Sequence, residues 1–140
     1  MTTTTTTRAA TTAPPPAAPT ARYRTLVFDS ARWRGVELRP GDIVISTPPK
    51  CGTTWTQYCC ALLVHGGPDL PAPLEQLSPW VDMAVHDLEE VHATLEAQAH
   101  RRIVKTHSPL DGVPFHPDVT YVVVGRDPRA SGEMLEAAVI

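Results

Sequence analysis

An α/β fold built on a largely parallel sheet is what this 140-residue sequence predicts. Three observations carry it. Short β-branched runs alternate with stretches of helical periodicity, turn residues punctuate the joins, and the clearest run, 119–124, is continuously apolar. Parallel sheets bury such runs on both faces. The first 21 residues stand outside this pattern, with nine Thr, six Ala, four Pro, one Met and one Arg. They predict a disordered Thr/Ala/Pro-rich tail over 1–21, leaving 22–140 as one domain.

The first strand is expected over Asp42-Ile43-Val44-Ile45-Ser46-Thr47, after the turn pair Pro40-Gly41. A helix follows from Thr53 to Val64, with Trp55, Tyr58, Cys59, Leu62 and Leu63 as its apolar stripe and Gly66-Gly67-Pro68 as its stop. The proline-rich stretch from Gly66 to Asp82 reads as an ordered surface loop, open to two uses: pocket lining or plain connection. A second helix, His86 to Ala99, sets Leu88, Val91 and Leu95 on one face and Glu89, Glu90 and Glu96 toward water. The second strand is Arg102-Ile103-Val104-Lys105-Thr106-His107 and the third Val119-Thr120-Tyr121-Val122-Val123-Val124; a short helix follows Pro128.

Composition removes several functions. A formal charge of −3 excludes a nucleic-acid binder working by bulk positive charge. No run approaches the ~20 apolar residues of a bilayer span, and 1–21 has no apolar core of a secretory leader. Three Cys, two of them adjacent, give neither a disulfide framework nor metal-site spacing, and no Asp/Glu cluster would hold a metal. The expectation is a cytoplasmic protein with reduced thiols and no nucleic-acid, membrane or metal partner.

The chemistry gathers where the first strand ends, at Ser46-Thr47-Pro48-Pro49-Lys50-Cys51-Gly52-Thr53-Thr54-Trp55. A strand, a tight loop and a helix opening on Gly-Thr-Thr make an anion site. The first N–H groups of a helix lack intrahelical acceptors, and the macrodipole adds positive charge there. Gly52 lets a phosphate approach the backbone, Thr53 and Thr54 carry hydroxyl donors, and Lys50 brings a full charge. No Asp or Asn caps this helix, which leaves its end open to an anion. The nucleotide-triphosphatase loop, Gly-x-x-x-x-Gly-Lys-Ser/Thr, is not present, because here Lys50 precedes Gly52.

Pro48-Pro49-Lys50-Cys51-Gly52-Thr53-Thr54-Trp55 resembles the 5′-phosphosulfate loop of the cytosolic-type sulfotransferases, Tyr-Pro-Lys-Ser-Gly-Thr-Thr-Trp. Those enzymes pass a sulfuryl group from 3′-phosphoadenylyl sulfate (PAPS) to an alcohol, phenol or amine. Pro48 replaces Tyr and Cys51 replaces Ser; Cys51 keeps the backbone N–H, and a reactive thiol at the helix start is its other reading. Lys105-Thr106-His107-Ser108-Pro109 is similar to the family's Lys-Thr-His-x-Pro, in which the His is the catalytic base. Lys105 and His107 share one strand face, so Lys105 has two readings, a site residue or a charge satisfied at the sheet edge. Arg126, after the third strand, matches the family's 3′-phosphate Arg, with pairing to Asp127 or Asp118 as the structural alternative.

The resemblance runs from about Trp33 to Arg129 and implies a P-loop-like three-layer fold, incomplete at the C-terminal side. The family's Ser after that Arg falls on Met134, which cannot donate a hydrogen bond, and Ser131 does not inherit the role. The family's Arg-Lys-Gly loop has no counterpart, so the chain reads as an amino-terminal half, a truncated sulfotransferase-like domain with doubtful activity. Lys50, His107 and Lys105 are the implied catalytic residues; Lys50, Cys51, Gly52, Thr53, Thr54, Trp55 and Arg126 the implied nucleotide contacts; PAPS the co-substrate; a small hydroxyl or amine the acceptor. Missing cover over the sheet implies self-association through apolar surface. Trp80, Met83 and Phe115 are open between acceptor pocket and core. Two rivals remain: an inert fragment that binds nucleotide or a partner chain, and a P-loop phosphotransferase using a triphosphate and Mg²⁺.

Overall fold

A computed structural model describes residues 14–130. Three strands, β1 (Ile43–Ser46), β2 (Ile103–Thr106) and β3 (Thr120–Val123), form a parallel sheet in the order β2-β1-β3. Each lies inside the run predicted for it. Ser46 aligns with Thr106 on one side and Val123 on the other, so all three strands end on the same rim. Ligands of open α/β sheets collect at such a rim.

Period-two alternation sends successive side chains to opposite faces and creates two cores. Ile43, Ile45 and Ile103 pack with Ala61 of helix α1 (Thr53–His65) on one face. Val44 and Val104 pack on the other with Trp33, Leu38, Val81, and with Val91 and Leu95 of helix α3 (Leu88–Ala97). The result is the three-layer arrangement expected. Ile45, Val44, Ile103 and Val104 are fully buried, each worth about 1.5–3 kcal/mol of transfer free energy. Asp87 caps α3, accepting from the N–H groups of Glu89 at 2.9 Å and Glu90 at 3.0 Å.

Three expectations need correction. The Trp55–Leu63 stripe does not face the sheet: Thr53, Gln57 and Ala61 are the buried residues of α1, while Trp55 is 76% and Leu63 83% exposed. Polar Gln57 is accommodated because its Nε2 donates to both Ser78 O and Ser78 Oγ at 3.0 Å. β3 is not buried on both faces. Val123 is 60% exposed, and among the described residues β3 pairs only with β1. The loop 66–82 contains a one-turn helix, α2 (Leu74–Leu77). Within residues 14–21, Ala17 and Phe115 exchange two backbone hydrogen bonds, and Thr20 and Ala21 both donate to Asp111 O.

Residues 128–130 are helical as expected after Pro128. The rest of the tail, 1–13, and Ser131 and Met134 lie outside the described residues. Among those described, no helix is long and apolar enough to cross a membrane.

Candidate functional site

The loop from β1 to α1 takes its shape from two residues in the left-handed backbone region, Lys50 at φ +61° and Gly52 at φ +84°. Glycine adopts that conformation freely, whereas for Lys50 it costs about 1–2 kcal/mol. Gly52 is the N-cap of α1, makes no side-chain cap hydrogen bond, and no acidic residue occupies the first turn. Nothing lies within 4 Å of where a Cβ on Gly52 would sit. The helix start therefore offers its N–H groups to an open space, a cradle suited to a phosphate or sulfate.

A cleft of about 660 Å³ opens over this cradle. Lys50, Gly52, Thr53, Thr54 and Trp55 line it, as do Lys105 and His107 from the end of β2 and Arg126 from beyond β3. The parallel register thus brings together, at one rim, residues from three separate sequence positions. Cys51 is the exception among the candidates. It is 5% exposed and does not line the cleft, so Ser-to-Cys replacement alters a packed side chain, not a wall of the site. That burial also argues against the reactive-thiol reading, which needs an accessible sulfur.

Thr47 couples the two halves of the site. Its hydroxyl is hydrogen-bonded to the hydroxyl of Thr53, and its carbonyl oxygen lies 2.7 Å from His107 Nδ1. A carbonyl only accepts, so Nδ1 carries the proton and the neutral ring keeps its lone pair on Nε2. Burial lowers the pKa of His107 below its ordinary value; the Thr47 carbonyl opposes that, Lys105 adds to it, and Asp82 opposes it. The group is thereby kept neutral and basic near pH 7. Lys105 is likewise lowered by burial and raised by Asp82. Its Nζ sits 4.2 Å from the centroid of the Trp80 ring, and its side chain lines the cleft.

Aromatic walls complete the site. The His107 ring meets Trp80 edge-on at 4.6 Å between centroids and Phe28 edge-on at 6.5 Å. Of the three aromatic or apolar acceptor candidates, only Trp80 lines the cleft; Phe115 stacks on Tyr121 instead, 5.9 Å away. Thr25, Val27 and Phe28 form a further wall, from a segment that carries no motif. Asp82 was also missed. It is fully buried beneath the cleft and lies in a proline-rich connection without motif spacing. Among the described residues no group of three or more His, Cys, Asp and Glu side chains is placed to hold a metal.

Comparison with known proteins agrees with this geometry. Residues 40–131 match the family described as the sulfotransferase domain. The chain is 56% identical over 107 residues to a protein named glycolipid sulfotransferase from Mycobacterium tuberculosis, covering 76% of this chain and 33% of that protein. The same figures relate it to a glycolipid sulfotransferase of Mycobacterium bovis. It is 34% identical over 89 residues to cytosolic sulfotransferase 1 of Danio rerio, covering 58% of this chain and 29% of the relative. The chain spans about a third of the length of the curated relatives it matches. Because the matched stretch holds the sheet, the anion loop, His107 and Arg126, and takes in well over half the sequence, this chain belongs to the sulfotransferase family.

Proposed function

We propose that the chain carries the donor cradle and the general base of a sulfotransferase that moves a sulfuryl group from PAPS to a hydroxyl or amine of a small-molecule acceptor. One observation carries the reading: an uncapped helix start and an imidazole with Nε2 left basic open on one cleft, joined through Thr47. The PAPS donor supplies the activated sulfuryl group. The N–H groups at the start of α1 and the Lys50 ammonium would hold its phosphosulfate end, and Arg126 its 3′-phosphate. The exposed Trp55 indole offers a flat surface for the base.

His107 Nε2 accepts the proton from the acceptor as the new S–O or S–N bond forms. Lys50 balances the charge that gathers on the departing phosphate oxygen, with Lys105 nearby. No covalent enzyme intermediate is required. The names of two relatives, both glycolipid sulfotransferases, make the hydroxyl of a glycolipid the first acceptor to try. The reaction belongs in the cytoplasm, where Cys59 and Cys60 stay reduced.

A second reading, in which the chain pairs with another copy, is favoured by exposed Trp55, Tyr58, Leu62 and Leu63 on α1 and by exposed Val123 of β3. Titration calorimetry with adenosine 3′,5′-bisphosphate against ATP·Mg²⁺ tests the donor site. Preference for the bisphosphate is expected, weakened about 10- to 100-fold in Lys50→Ala, the loss of a charge-assisted hydrogen bond. Equal binding by parent and variant, or preference for ATP·Mg²⁺, would overturn the assignment.

A further inference from the structure

Asp82 takes no part in the chemistry described above, yet four donors converge on it. Its carboxylate accepts from Thr106 Oγ1 at 2.5 Å, from Ser108 Oγ at 2.5 Å, from Ser108 N at 3.2 Å and from Trp80 Nε1 at 2.6 Å. Thr106 and Ser108 flank His107 in the chain, and both are held by the same oxygen, Oδ2. Trp80 is the ring against which His107 rests and over which Lys105 is placed. Thr106 Oγ1 in turn accepts from Ser108 N at 3.0 Å and Trp33 Nε1 at 3.4 Å, and Ser46 Oγ donates to Ser108 O at 2.8 Å. The carboxylate is thus the node of a network spanning β1, β2 and the turn that carries His107.

We propose that Asp82 is the positioning residue of this site: it fixes the turn bearing His107 and the indole beside it, and so locks the imidazole as the Nδ1–H tautomer. The inference rests on reading His107 as the base. A purely structural need would be met more cheaply by a neutral group, because a buried carboxylate costs several kcal/mol unless its charge is used. Among the described residues no ion pair includes Asp82.

Its charge does have a use at the cleft. Lys50 of the anion loop, Lys105 of β2 and Arg126 beyond β3 line the cleft around His107, and among the described residues no carboxylate lines it. An imidazole that gains a proton there faces cations from three elements, with the Thr47 carbonyl and the Asp82 carboxylate as the groups that favour the imidazolium. Asp82 therefore steadies the ring before proton transfer and offsets its charge afterwards, without touching a reactant.

The experiment is imidazole ¹⁵N–¹H NMR on the full chain, following the tautomer and titration midpoint of His107 in the parent, Asp82→Asn, Ser108→Ala and Trp80→Phe. The parent should show the Nδ1–H form. Asp82→Asn should lower the midpoint by about half a pH unit or more, roughly threefold in proton affinity, and mix the tautomers. Ser108→Ala and Trp80→Phe keep the charge and remove one anchor each, so the midpoint should hold while the Nδ1–H preference weakens. A folded Asp82→Asn chain with midpoint and tautomer unchanged overturns the proposal. Should Asp82→Asn fail to fold, unchanged tautomers in both other variants overturn it, and a weakened preference in either supports it. Failure of the parent to bind the bisphosphate, with these shifts intact, removes the donor assignment and leaves the positioning role standing.

Discussion

The two ends of the sheet treat charge in opposite ways. At the amino end, Arg102 and Asp42, 1% and 3% exposed, form a buried pair: Nη2 to Oδ2 at 2.5 Å and Nε to Oδ1 at 3.0 Å. Arg102 Nη2 also donates to Glu37 O at 2.8 Å, and Asp42 Oδ2 also accepts from Arg39 N at 2.8 Å. At the carboxyl end, three cations and an imidazole border a cleft that, among the described residues, has no lining carboxylate. The same strands therefore carry a matched, desolvated pair at one end and a cluster of cationic side chains around a cleft at the other. Only the second can attract an anion, and only the first can lock register.

Substitutions should separate the two ends cleanly. His107→Ala should lower turnover by about 10² to 10⁴ in a PAPS-dependent assay, the usual range for a lost general base, with little change in unfolding free energy. Full activity would remove His107 from the mechanism. Arg102→Ala should do the reverse, costing about 3–5 kcal/mol in urea unfolding by stranding a buried Asp42 carboxylate. A loss under 1 kcal/mol would show that the amino end is not the register lock.

Acid should act on the carboxyl end and on the far end of α1 together. His107 is lowered by burial, and His65 by burial and by His100. Below the ordinary pKa of about 6.5 the unfolded chain binds more protons at these groups, so stability should fall as pH drops from 7 toward their folded pKa values. Unfolding curves at several pH values check this, and His107→Ala should flatten the slope; a stability that rises on acidification contradicts it. The smallest effect is expected at the surface. Leu63→Lys should leave stability within about 0.5 kcal/mol while reducing self-association in sedimentation velocity. An unchanged association state would mean that the α1 stripe is not the contact.

The sequence was most readable where one residue type has one physical use. Gly52, Lys50 and the β-branched runs announce a loop and its strands, and His107 at a strand end followed from the same pattern. The face of α1 was misread because counting apolar residues favours Trp55, Tyr58 and Leu62, whereas the sheet accepts the smaller Ala61 and a satisfied Gln57. Hydropathy cannot see a hydrogen bond to Ser78 from 21 residues away. Asp82 and the Arg102–Asp42 pair were hidden for the same reason: a buried charge is defined by partners distant in sequence, and no local spacing marks it.

Thr47 has a consequence for how this site can change. It is 1% exposed, its N–H reaches Thr106 O at 3.3 Å, its hydroxyl meets Thr53, and its carbonyl holds the His107 ring. Grip on the donor and readiness of the base are therefore geared through a single peptide unit. A mutation that slackens the cradle also misaims the ring, so tighter nucleotide affinity and faster proton removal cannot be tuned as separate dials.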